Sequence, residues 1–289
     1  MGGFSLDIVL RRHLTSPVSS LACGFALAAN QTNYFISIQK KNKTMSIQVT
    51  GITGIPLIKT GDDIAKILCE KSSFEDGDIV CIASTIVSKA NGYLRALKDI
   101  EPTEDAVRIS GLTKEDPRFI QGILDSSKDI IIEYPFILSE VACGHVGVRA
   151  GVDNSNVEGE NIIILPPNPM EDAAKLRGQI KEICGKDVGV IITDTCGRAF
   201  RRGQCGTAIG WAGMTAIRDF RGDHDLFGLE LEITEEAVVD EIAAFSNFIM
   251  GESNAGIPAV KFSGCGSWTG HDNLYFTKEE DFIRKAIHI

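Results

Sequence analysis

Residues 188–193, VGVIIT, place the tightest constraint on the fold. They form an apolar run rich in β-branched side chains, and the next residue is Asp194. A short run of this kind bounded by polar residues reads as a buried strand, and its far end delivers the carboxylate. Residues 78–84 (DIVCIAS) read as a second buried strand, and the β-branched runs at 129–133 and 161–165 as two more. Helical periodicity lies between them. In residues 62–71, Ile64, Ile67 and Leu68 recur at i, i+3 and i+4. Asp116 followed by Pro117 opens a helix over 117–127, with the acid as cap and the proline in the first turn. Pro166 to Pro169 interrupts the chain. A helix over 171–184 follows, stopped by Gly185. Thr234 is placed to cap a helix running to Met250, with Val238, Ile242, Phe245 and Ile249 on one face and Gly251 ending it. A strand over 257–262 and a last helix over 277–287, with Glu279 and Glu280 in its first turn, complete the pattern. The elements are interspersed without strict βαβ alternation. The expected class is therefore α+β with a mixed sheet, in two subdomains meeting near residues 166–170.

The formal net charge is −10, and the most basic run is KKNK at residues 40–43, which excludes a nucleic-acid binder of the usual basic kind. None of the eight cysteines has CxxC spacing, and several lie in apolar runs, as expected of reduced thiols in a cytoplasmic protein. Residues 17–28 (PVSSLACGFALA) follow two arginines in the manner of a secretory segment. Asp7 precedes them, however, and the run is too short to span a membrane. From Met45 the sequence reads as a globular domain at once. Residues 1–44 are accordingly expected to be an extension outside the fold, and 45–289 the domain.

Several familiar signals are missing. There is no GxxxxGK[ST], no GxSxG and no HExxH, and the glycines at 264, 266 and 270 lack a flanking strand–helix pair. Three segments carry chemistry instead. In residues 143–158, glycines at 144, 147 and 151 precede Asp153, Asn154, Ser155 and Asn156. Short oxygen-bearing side chains on a permissive turn suit a hard cation or a phosphate, and equally a polar hairpin turn. In residues 191–203, Asp194 and Thr195 follow the apolar run and precede Arg198, Arg201 and Arg202. An acid at a strand end suits Mg²⁺ or Mn²⁺, and the arginines suit phosphate or carboxylate; a capped turn with surface ion pairs is the plainer alternative. In residues 250–257 (MGESNAGI), Glu252 projects from a glycine-flanked loop whose N–H groups could cradle an anion, or which simply stops a helix. His145 and His224 read as packing or surface residues rather than ligands.

Taken in order, the blocks GIPLIKTGDD (54–63), ASTIVSKANG (83–92), AGVDNSNVE (150–158), ILPPNP (164–169), GVIITDTCGRAFRRG (189–203), AIG (208–210), VDEIAAFSNFIMGE (239–252) and GIPAV (256–260) resemble the archaeal coenzyme F420-0:L-glutamate ligase family, which is GTP-dependent. The resemblance begins near Met45. It implies GTP contacts at Ile55, Pro56, Leu57, Ile58, Ser84, Thr85, Lys89 and Asn156. The loop Met250, Gly251, Glu252, Ser253, Asn254, Ala255, Gly256 and Ile257 would wrap the nucleotide. It also implies one divalent metal on Asp153 and Asp194 and a second on Thr195 and Glu252. A monovalent cation such as K⁺, a homodimer, and an acyl phosphate made from F420-0 and opened by L-glutamate complete the expectation. Residues 253–255 (SNA) depart from the glycine-richer pattern of the family. Arg198, Arg201 and Arg202 are assigned to the phosphorylated acyl group or the anionic substrates on charge and position alone.

Overall fold

In the computed structural model, residues 33–40, 43–155, 157 and 159–287 are described. The chain opens with strands β1 (Asn33–Lys40) and β2 (Lys43–Gly51), then helix α1 (Ile64–Lys71), strand β3 (Ile79–Ala83) and helix α2 (Ser84–Asn91). An excursion follows, through β4 (Leu94–Ala96), α3 (Glu104–Thr113), α4 (Pro117–Ser126), β5 (Asp129–Ile132), β6 (Leu138–Glu140), β7 (Val146–Val148) and β8 (Asn161–Ile163). The chain returns through α5 (Pro169–Cys184), β9 (Gly189–Gly197), β10 (Gln204–Ala212), β11 (Ile217–Asp219) and β12 (Glu235–Ala237). It ends with α6 (Val238–Met250), β13 (Ala259–Ser263), β14 (Gly270–His271) and α7 (Phe282–Ile287).

The main sheet has six strands in the order β1-β2-β13-β3-β9-β10, and only β3 and β9 run parallel. This is the mixed α+β architecture expected from the sequence. Both faces of its centre are covered, which is why residues 78–84 and 188–193 read as unbroken apolar runs. Val80, Ile82, Val190 and Ile192 point into one core with α1 and α5. Ile79, Cys81 and Ile191 point into the other with α6. A third core, including Ile109, Ile120, Ile137 and Ile162, belongs to the excursion, which carries the small sheet β5-β6-β7. Another small sheet, β12-β11-β14, lies beyond β10 in sequence. Strand β1 comes from the stretch expected to stand outside the fold. It pairs antiparallel with β2 from Asn33 opposite Thr50 to Lys40 opposite Lys43, at the sheet's edge.

Of the element limits that differ from the sequence reading, three have a clear physical reason. Strand β9 does not stop at Thr193, because β10 keeps pairing with it as far as Gln204 opposite Gly197. Helix α6 starts at Val238 rather than at Thr234, since Glu235, Glu236 and Ala237 pair with β11. The final helix starts at Phe282. Thr277 and Glu280 bond reciprocally, hydroxyl to N–H and carboxylate to N–H, closing a separate turn before Asp281 caps Ile283 and Arg284. Strand β10 escaped the sequence reading because Gly206 and Gly210 depress strand propensity. The structure needs both glycines. A Cβ on Gly206 would lie 2.4 Å from the Ala243 carbonyl of α6, and one on Gly210 would lie 2.4 Å from the Pro169 carbonyl of α5. A register shift between Ala208 and Gly210 turns the strand over between these two contacts.

Candidate active site

The parallel register sets the floor of the site. Ala83 is the last residue of β3 and stands opposite Thr193, so the next residues, Ser84 and Asp194, emerge side by side. The Ser84 hydroxyl donates to Asp194 Oδ1 at 2.8 Å across a separation of 110 residues. Asp194 remains within β9 and pairs with Thr207 of β10, which holds its backbone rigidly while β3 has already ended. Burial pushes the Asp194 carboxyl up to about 6, against the Ser84 hydroxyl and the Thr195 N–H; the charges of Asp153 and Glu252 push it further the same way. Its side chain keeps partial contact with solvent, because it faces a cleft rather than the core.

Two loops bring the other acids. Gly151 (φ 65°) turns the chain after β7, and a Cβ there would fall 2.4 Å from Leu165. Asp153 then bridges Ile163 through both of its backbone groups. Its side chain accepts from the Asn154 N–H at 2.8 Å, the Ser155 N–H at 3.1 Å and the Ser155 hydroxyl. Glu252 follows the end of α6, where Gly251 (φ 69°) breaks the helix. Its Oε1 accepts from Asn247 Nδ2 at 2.8 Å and from the Thr195 hydroxyl at 3.3 Å. The closeness of β10 to α6 permitted by Gly206 sets where this loop arrives.

These elements enclose a cleft of about 710 Å³. Of the residues singled out in the sequence, Ile55, Pro56, Leu57, Ile58, Ser84, Thr85, Lys89, Asp153, Asp194, Thr195, Met250, Gly251, Glu252, Ser253, Gly256 and Ile257 line it. Asn254 and Ala255 belong to the same loop but do not line the cleft, and Asn156 falls outside the described residues. Arg198 and Arg202 stand in the turn joining β9 to β10, beyond the lining; Arg198 Nη2 lies 3.4 Å from the Arg202 carbonyl. The cleft also takes in His145, which the sequence reading set aside as a packing or surface residue, and Arg149, Gln204 and Asn247, which carried no sequence signal.

The donors at the floor are carboxylates and hydroxyls only, the set preferred by hard divalent cations. Gathering Asp153 and Glu252 near Asp194, whose ionisation they make costlier, fits a site built around positive charge. The Thr195 hydroxyl bonds Glu252, and the charge of Asp153 is near enough to act on Asp194. Among the described residues, the one set of three with ligand atoms within 4.8 Å of one another lies elsewhere, at Asp219, Glu235 and His271. That set is occupied by Arg221, which bonds both oxygens of Asp219 and lies 3.2 Å from Glu235. It therefore reads as an ion-pair network. No helix among the described residues is long and apolar enough to cross a membrane.

Residues 53–264 match a protein family described as F420-0:Gamma-glutamyl ligase. The coenzyme F420:L-glutamate ligase of Haloarcula marismortui is 44% identical over 249 residues, covering 83% of this chain and 97% of that protein. The protein of the same name from Archaeoglobus fulgidus is 44% identical over 248 residues, covering 84% and 98%. Its namesake from Methanosarcina mazei is 41% identical over 247 residues, covering 84% and 97%.

Proposed function

The chain belongs to the F420-0:gamma-glutamyl ligase family, and from that premise we propose that it is a GTP-dependent ligase joining L-glutamate to coenzyme F420-0. The observation that carries this reading is the convergence of Ser84, Asp153, Asp194, Thr195 and Glu252 on one cleft from four separated stretches of sequence.

A carboxylate does not form an amide unaided, because its oxygen is a poor leaving group. The terminal carboxylate of F420-0 attacks the γ-phosphorus of GTP, GDP leaves, and an acyl phosphate results. The α-amino group of glutamate then attacks the acyl carbon; the new C–N bond replaces the C–O bond to phosphate, and the amine gives up a proton. A second round on the product's γ-carboxylate gives the two-glutamate form. Both anionic reactants must approach one another, so the site has to offset their repulsion. Asp153 and Asp194 would hold one Mg²⁺ or Mn²⁺, and Thr195 and Glu252 a second; bound there, the ions would neutralise phosphate and carboxylate charge. Ser84 fixes the Asp194 rotamer, and Asn247 fixes that of Glu252. Lys89, in the last turn of α2, faces the cleft as a point charge suited to phosphate oxygens. The residues at 55–58 and 250–257 would enclose the nucleotide, and the Arg198 and Arg202 guanidiniums would draw in the anionic acceptor. In this reading the enzyme works as a cytoplasmic homodimer with K⁺ present.

Mass spectrometry of the acceptor after incubation with GTP, L-glutamate and Mn²⁺, each omitted in turn, tests the proposal. Additions of whole glutamyl residues should require all three. Release of GDP without acceptor and glutamate would instead identify a phosphohydrolase. Nucleotide binding without any turnover would identify a regulatory module.

A further inference from the structure

The turn between β9 and β10 is not explained by the chemistry at the cleft floor. Gln204 pairs with Gly197, and both line the cleft, so residues 198–203 project from its lip. Phe200 at the tip is fully exposed and holds φ at 60°, a left-handed conformation that a bulky aromatic residue rarely adopts. Arg198, Arg201 and Arg202 surround it, and none has an acidic partner among the described residues, although the chain as a whole carries a charge of −10. An aromatic face and three guanidiniums without carboxylate partners at the mouth of an acidic cleft suit an anion that carries a planar ring.

The wall beside the turn has the same character. The Cys196 thiol lies 3.8 Å from the Val146 carbonyl, which sets β7 alongside the outer half of β9. Val148, two residues further along β7, and Phe136, just before β6, both line the cleft with more than two-fifths of their surface exposed. The sheet order separates the turn from the segments proposed for the nucleotide. Residues 55–58, 84–89 and 250–257 emerge from β2, β3 and the approach to β13, on one side of β9; β10 and the turn lie on the other. Asp194 stands between them. From Asp194 to Phe200 the chain can span at most about 20 Å, which bounds the distance between reacting carboxylate and ring.

We propose that Phe200, Phe136 and Val148 form a subsite for a planar ring carried by the acceptor, with Arg198, Arg201 and Arg202 holding anionic groups next to that ring. This rests on the ligase reading, and it places the acceptor's aromatic end at the lip while its carboxylate reaches the acids. The test is steady-state kinetics of glutamate addition in Phe200→Ala, Phe136→Ala and Phe200→Tyr, with each substrate varied. Phe200→Ala and Phe136→Ala should each raise KM for the coenzyme acceptor about tenfold, the effect of losing one stacking face. KM for GTP and for glutamate should stay within about twofold. Phe200→Tyr should restore the wild-type value. With an acceptor shortened to its carboxylate tail, wild type and variants should become equal. An unchanged acceptor KM in both alanine variants, or a rise confined to GTP, would overturn the subsite while leaving the ligase reading intact. Failure of the wild type to add glutamate to the intact acceptor would remove both.

Discussion

His145 offers a quantitative test of how the cleft wall is built. It precedes β7, is 6% exposed and lines the cleft, and its ring makes no hydrogen bond among the described residues. Burial pulls its imidazole down from 6.5 to about 4. The folded state therefore holds a neutral ring where the unfolded chain would take up a proton. Stability conferred by the neutral ring is complete above pH 6.5, declines as pH falls, and stops declining near pH 4. One pH unit of difference corresponds to about 1.4 kcal/mol, so the full loss is about 3 kcal/mol, of which about 2 kcal/mol has occurred by pH 5. Urea unfolding in EDTA at pH 8 and pH 5 measures this directly. Between those conditions the wild type should lose about 2 kcal/mol more than His145→Gln, whose amide does not titrate. Equal losses would show that the ring is hydrated or paired in the folded protein, and that the wall between β7 and β9 is more open than described.

Other outcomes follow from the same structure. Asp153→Ala and Asp194→Ala should each lower glutamate addition by about a hundredfold or more at saturating Mn²⁺ with the far-ultraviolet circular dichroism unchanged; near-normal turnover in either would count against the site. Ser84→Ala removes a 2.8 Å bond to Asp194 and should raise the Mn²⁺ concentration for half-maximal rate by about tenfold. Gly206→Ala forces a methyl against the Ala243 carbonyl and should cost about 1–3 kcal/mol, read as a lowered Tm. Glu140 is buried, yet Lys128 and Arg284 outweigh the effect of burial and hold its carboxyl below the usual range. Arg284→Met should therefore destabilise the protein by about 3 kcal/mol in urea unfolding, by leaving that carboxylate short of charge.

The parts of the site legible in the sequence were those that a single segment carries. The run ending at Asp194 showed a buried strand with an acid beyond it, and the glycine-spaced turn before Asp153 showed a place for oxygen ligands. The resemblance then joined Lys89 and Glu252 to the same centre. What sequence could not show were relations between strands. Nothing near Ser84 indicates that it stands one rung from Asp194; that depends on the parallel register of β3 and β9. Asn247 carries no signal either, since its role depends on the helix ending at Met250, two residues before Glu252. Helix limits failed where neighbouring backbone competed, as when β11 took Glu235, Glu236 and Ala237 from the expected start of α6. His145 looked like a packing or surface residue and is buried, but it also lines a cleft to which both β7 and β9 contribute.

The central claim is that the acids around Asp194 couple GTP cleavage to amide formation. Counting GDP and glutamylated coenzyme in the same reaction, for wild type and Asp194→Asn, tests it most directly. The wild type should form one GDP for each glutamate added and almost none when the acceptor is withheld, while the variant forms neither. GDP release that continues without acceptor, or glutamate addition that survives in Asp194→Asn, would contradict the account.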